Sequence, residues 1–218
     1  MKYIKSGSEL LAHERKKWDE GFSFIAGIDE AGRGPLAGPV VAAAVIFSRR
    51  HRIPIVNDSK KLSEKQRLEM RENILAAKEV RYSIIEIGPE EIDTLNILRA
   101  THQAMKKAVL SLEVAEFALI DGLPVPDFPL PSEAIVKGDS KSASIAAASI
   151  LAKTRRDEIM MEMDKLYPEY GFARHKGYGT EDHVEALKKY GPCPIHRKSF
   201  APVRDIINPP PEQLSFLF

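Results

Sequence analysis

Cysteine is nearly missing from these 218 residues: Cys193 stands alone. No internal disulfide can staple the fold, and a reducing, cytoplasmic setting is the natural expectation. Long apolar runs are missing as well. The longest, Val40 to Phe47, is far below the roughly 20 residues that a membrane helix needs. The charged opening MKYIKSGSELLAHERKKWDEGF has no apolar signal-peptide core. Neither sign of charge dominates: Lys and Arg number 32 against 31 Asp and Glu, a formal net charge of +1. That balance neither demands nor excludes a polyanionic partner, because a nuclease sets carboxylates at its centre and basic groups around them. Low-complexity tracts and internal repeats are absent too. With 44% hydrophobic and 29% charged residues, the composition fits a globular α/β domain of ordinary size.

What is present is an alternation of strand-like and helical segments. Residues 8–20 read as a helix capped by Ser8, with Leu10, Leu11, Glu14 and Trp18 along one side. FSFIAGIDE is strand-like and ends in two acids and a glycine-rich turn. Pro39 then opens VVAAAVIF, and the two runs suggest a hairpin. A helix is expected over 63–79, with Ser63 and Gln66 as a capping box. RYSIIEI is a third strand, and Pro89 starts a single helix running to about Leu112. EFALIDG makes a fourth strand, and EAIVKGDS a fifth with Asp139 just beyond its end. A long helix from Ala143 to about Leu166 follows, then helices near 181–190 and 200–207. The reading divides the chain into an N-terminal helical extension (1–22), an α/β catalytic domain with C-terminal helices (23–207) and a flexible tail (208–218).

Acids fall at the ends of three different strands: the pair Asp29 and Glu30, then Asp121, then Asp139. Ligands of open α/β sheets gather at strand ends. Adjacent residues on a strand point to opposite faces, so Asp29 and Glu30 can share one ligand only where the strand ends and twists. Gly27, Gly32 and Gly34 make such an ending plausible. Clustered carboxylates suit Mg²⁺ or Mn²⁺, hard cations that keep several waters and bind phosphate. One strand-end acid alone is most often a solvated residue or a helix cap; the set with its glycines argues for a site.

The segments GIDEAGRGPLAGPVVAAAVI, NDSKKLSEKQR, EIDTLNILRAT, LIDG, VKGDSKSASIAAASILAKTRRD, YPEYGFARHKGYGT and PIHRKSFAPV occur in this order over residues 25–205. Together they resemble the type 2 ribonucleases H, the ribonuclease HII family. The resemblance implies a ribonuclease H-like fold, a mixed five-stranded sheet flanked by helices. It implies hydrolysis of the RNA strand of RNA/DNA hybrids, and cutting 5′ of ribonucleotides embedded in duplex DNA, with two Mg²⁺ or Mn²⁺ ions. The family's four carboxylates fall on Asp29, Glu30, Asp121 and Asp139. Gly32, Arg33 and Gly34 fall on the turn whose backbone recognises a 2′-hydroxyl, the one group that distinguishes RNA from DNA there. Tyr178 falls on the tyrosine that packs on the next deoxyribose and excludes a hydroxyl from it. Ser59 and Lys60 match a loop that touches the nucleic-acid backbone, although Asn57-Asp58-Ser59 is also ordinary turn chemistry.

Other readings stay open at single residues. Arg33 can pair with an acid in place of facing substrate. Lys137, Lys141, Lys153, Arg155 and Arg156 can grip phosphates, while Lys153 and Asp157 at i, i+4 suit a local ion pair. His175 and His196 are expected in structural or phosphate-contact roles. The ending QLSFLF follows Asn208, three prolines and Glu212. It resembles the peptide by which bacterial replication and repair proteins dock on the DNA sliding clamp, with Gln213 hydrogen-bonding and Leu214, Phe216, Leu217 and Phe218 filling pockets; the alternative is a tail folded back on the domain. A monomer is the expected state. Two other functions compete: a different two-metal nuclease, which would open with an acid-x-acid pair, and a silent nucleic-acid-binding module, which predicts a broken carboxylate set.

Overall fold

The computed structural model describes residues 10–49 and 62–209. The expectations for Ser59, Lys60 and the tail residues Gln213, Leu214, Phe216, Leu217 and Phe218 lie outside the described residues.

A five-stranded sheet forms the centre, built from β1 (Ile25–Ala31), β2 (Val40–Phe47), β3 (Val80–Ile87), β4 (Phe117–Asp121) and β5 (Ser132–Ile135). Its order is β3-β2-β1-β4-β5. β1 runs antiparallel to β2, and β2 to β3, whereas β4 and β5 run parallel to β1. The expected hairpin and mixed sheet are therefore present.

Every residue of β2 is buried, because helices cover both faces. On one face, Val41, Ala43, Val45 and Phe47 meet the alanine-rich first half of the long helix, Ala143–Leu166. On the other, Ala26, Ile28, Ala42 and Ala44 meet Ala100, Ala104 and Ala108 of the helix Ile97–Leu110. Small residues on both partners let backbone approach backbone. The limit is reached at Gly27, where a Cβ would overlap the backbone of Ser144 and Ile145.

Among the described residues, four helices precede the C-terminal region: α1 (Ala12–Asp19), α2 (Glu64–Ala76), α3 (Pro89–Leu95) and α4 (Ile97–Leu110). The expected capping box of Ser63 and Gln66 starts α2. The single helix expected from Pro89 to Leu112 is corrected to two. Asn96 breaks it, with φ +68° and a side chain that accepts from Arg99 N at 3.1 Å to begin α4. Asparagine tolerates positive φ and caps well, so the apolar periodicity continued across a real break. The fifth strand is likewise shorter than expected. It ends at Ile135, Lys137 turns left-handed at φ +57°, and Asp139 sits in a 3₁₀ turn, Gly138–Ser140.

The long helix is α5 (Ala143–Leu166), and α6 (Phe172–His175), α7 (Glu181–Tyr190) and α8 (Val203–Ile207) follow. Helix α1 packs on the sheet domain: Leu10 and Trp18 are buried, and Glu14 is 1% exposed. The Glu14 carboxylate accepts from Ser142 Oγ (2.6 Å), Ser144 N (2.9 Å) and Ser144 Oγ (2.6 Å). A negative charge thus sits on the N-terminus of α5, where free N–H groups and the helix dipole favour it. The C-terminal helices build a satellite core of Tyr170, Phe172, Leu187 and Val203 around Leu36, Ala37 and Met160. That core seats the loop between β1 and β2. Among the described residues no helix is long and apolar enough to cross a membrane.

Candidate active site

The three parallel strands β1, β4 and β5 end at the same edge of the sheet, and the acids end there with them. The β1–β4 register pairs Gly27 with Leu119 and Ile28 with Ile120; continued by one residue, it sets Asp121 beside Asp29. Both extend the face that α5 covers. Glu30, one residue on, leaves from the opposite face, and the twist at the strand end brings it to the same cleft. That cleft, about 440 Å³, is lined by Asp29, Glu30, Gly32, Arg33, Gly34, Asp121, Ser149, Lys153, Arg156 and Tyr178.

Three of the four expected carboxylates therefore line one cavity. Asp139 does not line it; it lies 2% exposed in its turn, one residue from Gly138, whose N–H donates to Asp121 Oδ1 at 2.5 Å. Among the described residues no three His, Cys, Asp or Glu side chains are gathered closely enough to hold a metal ion as they stand. Asp29, Glu30 and Asp121 instead face a shared open volume. Burial pushes the Asp29 carboxyl well above the usual range, with Glu30 and Asp121 repelling its charge. Burial also raises Glu30, while Arg33 opposes the shift. Such crowding of like charges is stabilised by a cation. A hydroxyl from Ser149 and the N–H of Glu30 (2.7 Å) donate to Asp29 and fix its orientation.

Arg33 is half exposed in the cleft, and its Nη1 lies 3.5 Å from Glu30 Oε1. The two glycines beside it differ. A Cβ at Gly32, where φ is +95°, would overlap the Arg156 side chain and lie 2.7 Å from Pro39 O. The bare Cα of Gly32 is thus required by packing beneath the loop. A Cβ at Gly34 would meet only Tyr178, at 3.8 Å, across the open cleft. Of the two, only Gly34 leaves room on the cleft side. Tyr178 is exposed on that side, with the Arg156 guanidinium 5.8 Å from its ring centroid.

Of the expected phosphate contacts, Lys153 lines the cleft and also pairs with Asp157 at 2.8 Å. Arg156 is corrected. It is 2% exposed and donates to Ala37 O and Pro39 O, both at 3.1 Å. Arg155 is held by Glu86 at 2.7 Å. Ser149 and Arg197 went unread as site residues. Ser149 left a faint signal, a hydroxyl inside the apolar run AAASILA, at i−4 from Lys153 and i−7 from Arg156 on one side of α5. Arg197 left none, because its partners are backbone carbonyls 159 to 165 residues away. His175 and His196 take structural roles in a network with His183, away from the cleft.

Comparison with known proteins identifies the family. The family model described as Ribonuclease HII matches residues 26–203. The ribonuclease HII of Caldanaerobacter subterraneus subsp. tengcongensis is 55% identical over 198 residues, 90% of this chain and 82% of that one. That of Chlamydia pneumoniae is 54% identical over 198 residues, 90% and 92% of the two chains. Among solved structures, the PCNA:RNase HII complex from Archaeoglobus fulgidus aligns with a TM-score of 0.70 at 29% identity, covering 81% of this chain and 95% of that one. The chain belongs to the ribonuclease HII family, and with it to the ribonuclease H hydrolases.

Proposed function

We propose that the protein is an endonuclease that hydrolyses the RNA strand of RNA/DNA hybrids and cuts 5′ of single ribonucleotides embedded in duplex DNA. One observation carries the reading: a backbone turn with open space at Gly34, beside Tyr178, lines the same cleft as three carboxylates. Asp29, Glu30 and Asp121 fit a hard divalent cation, being crowded oxygen donors whose charges repel one another. They would hold Mg²⁺ or Mn²⁺, two ions with substrate bound, and Asp139 would complete the set from behind. When bound, the ions supply Lewis-acid activation of water and neutralise charge on the scissile phosphate.

The chain's own residues do the rest. The Ser149 hydroxyl holds the Asp29 rotamer. Arg33, beside Glu30, brings positive charge to the mouth of the cleft. The turn of Gly32, Arg33 and Gly34 presents peptide groups to a 2′-hydroxyl, and Tyr178 excludes a hydroxyl on the following sugar. Ser59 and Lys60 contact the nucleic-acid backbone in this reading. Gln213, Leu214, Phe216, Leu217 and Phe218 bind the DNA sliding clamp, which the archaeal relative's complex with PCNA supports. The protein works as a cytoplasmic monomer.

The test is a DNA duplex with one ribonucleotide, incubated with Mg²⁺ or Mn²⁺. It should be nicked once, 5′ of the ribonucleotide, leaving a 3′-hydroxyl and a 5′-phosphate, and Asp29→Asn should abolish the nick. No nick by the wild type, or an undiminished one by Asp29→Asn, overturns the reading. Deleting 212–218 should leave this cleavage unchanged and abolish capture by the clamp.

A further inference from the structure

Arg156 and Arg197 are the largest fully buried side chains of the described molecule. A buried guanidinium normally meets a carboxylate, because an uncompensated charge in the interior is expensive. Among the described residues neither lies within 4.0 Å of an acid. Both spend their donors on the carbonyls of one loop. Arg197 donates from Nη2 to Gly32 O (2.6 Å), from Nη1 to Arg33 O (3.0 Å) and from Nε to Gly38 O (2.9 Å). Arg156 takes Ala37 O and Pro39 O. Five carbonyls between residues 32 and 39 are thus fastened to two rigid, planar forks.

The consequence follows from peptide geometry. In a trans peptide the C=O and the next N–H point in opposite directions. Pulling the carbonyls of Gly32 and Arg33 inward to Arg197 turns the N–H groups of Arg33 and Gly34 outward, and these residues line the cleft. A cation on the carbonyl end also polarises the peptide and strengthens its N–H as a donor. Arg197 itself is anchored on the same loop, its N–H donating to Leu36 O at 2.8 Å. Burial, and then repulsion by the Arg156 charge, holds the Arg197 pKa down at about 9.

We propose that Arg197, backed by Arg156, is the positioning residue that sets ribonucleotide selectivity, by holding the amides of Arg33 and Gly34 as a preformed donor pair for the substrate's sugar hydroxyl. The proposal rests on the function proposed above.

The experiment compares wild type, Arg197→Lys and Arg156→Lys on two matched duplexes, one with a single ribonucleotide and one all DNA. Binding is followed by anisotropy, and cleavage of the ribonucleotide duplex by kcat and KM. Lysine keeps the charge but replaces three donors in a fixed fork with one point donor. Arg197→Lys should lower the binding preference for the ribonucleotide duplex, and kcat/KM on it, by about tenfold or more. Affinity for the all-DNA duplex and for Mn²⁺ should stay within about twofold. An equal loss on both duplexes, with the preference kept, marks a merely structural role and overturns the proposal. A wild type without preference defeats the functional reading, and this inference with it.

A second measurement needs no variant. In ¹⁵N spectra of the wild type, the amides of Arg33 and Gly34 should shift on adding the ribonucleotide duplex and stay in place with the all-DNA one. Identical responses to the two duplexes overturn the proposal even if both lysine variants fail to fold.

Discussion

Acidification asks a histidine network to take up a proton it has no place for. Its tautomers follow from the hydrogen-bond partners. His183 Nδ1 faces Tyr178 O at 2.8 Å, so it carries the proton and leaves Nε2 bare. His196 Nδ1 accepts from Cys193 N–H at 3.0 Å, so its Nε2 carries the proton and donates to His183 Nε2 at 3.0 Å. His175 stacks on His183 at 4.5 Å, donating from Nε2 to Tyr170 O and accepting at Nδ1 from Gly177 N–H. A further proton on His196 Nδ1 would confront the Cys193 N–H at 3.0 Å, with the Cys193 carbonyl, at 3.3 Å, as a long-range acceptor that only partly offsets burial. Burial, then the nearby His183, drives the His196 pKa from 6.5 to about 4.

The sign is that of a histidine held neutral by the fold. Above pH 6.5 the imidazole is neutral in both states and nothing is lost. Below it the unfolded chain takes a proton that the folded chain refuses, so stability falls as pH falls, until the folded pKa near 4 is reached. One proton corresponds to about 1.4 kcal/mol per pH unit, which accumulates to roughly 3 kcal/mol across the window. His183, lowered chiefly by burial, adds in the same direction. Urea unfolding at several pH values between 8 and 5 should show this slope in the wild type, and a clearly smaller one in His196→Gln. Equal slopes in the two proteins would refute the network argument.

Two glycines separate folding from selectivity. Gly32→Ala should lose at least about 2 kcal/mol in chemical denaturation, because its Cβ meets Arg156 at a positive φ. Gly34→Ala should melt within a degree or two of wild type yet cut at a ribonucleotide at least about tenfold more slowly, since its Cβ enters the cleft facing Tyr178. Glu14→Ala should cost about 2–4 kcal/mol in urea unfolding, from the Ser144 N–H and two buried hydroxyls left without their acceptor. A double-mutant cycle on Lys153 and Asp157 should give a coupling below about 1 kcal/mol, because Lys153 is 40% exposed.

The sheet was readable because its strands obey local rules. VVAAAVIF is apolar throughout and is buried on both faces, and Asp29 and Asp121 lie at or near the ends of strands that run side by side. The motif residues converged because the parallel order of β1, β4 and β5 carries their ends to one edge. The break at Asn96 was hidden, since a capping side chain can interrupt a helix without disturbing its apolar spacing. The two roles within Gly32-Arg33-Gly34 were also hidden. Both glycines look alike in sequence, and only the position of Arg156 shows that one serves packing and the other leaves room at the cleft. Arg156 looks like a phosphate binder, and Arg197 carries no signal at all, until their carbonyl partners, far away along the chain, are in view.

The most direct measurement is a crystal structure of Asp29→Asn with Mg²⁺ and a duplex carrying one ribonucleotide. The account predicts the 2′-hydroxyl within hydrogen-bonding distance of the Arg33 and Gly34 amides, the next deoxyribose on Tyr178, and the phosphate on the 5′ side of the ribonucleotide over Glu30 and Asp121. A ribonucleotide bound elsewhere, or a 2′-hydroxyl turned away from that loop, would contradict it.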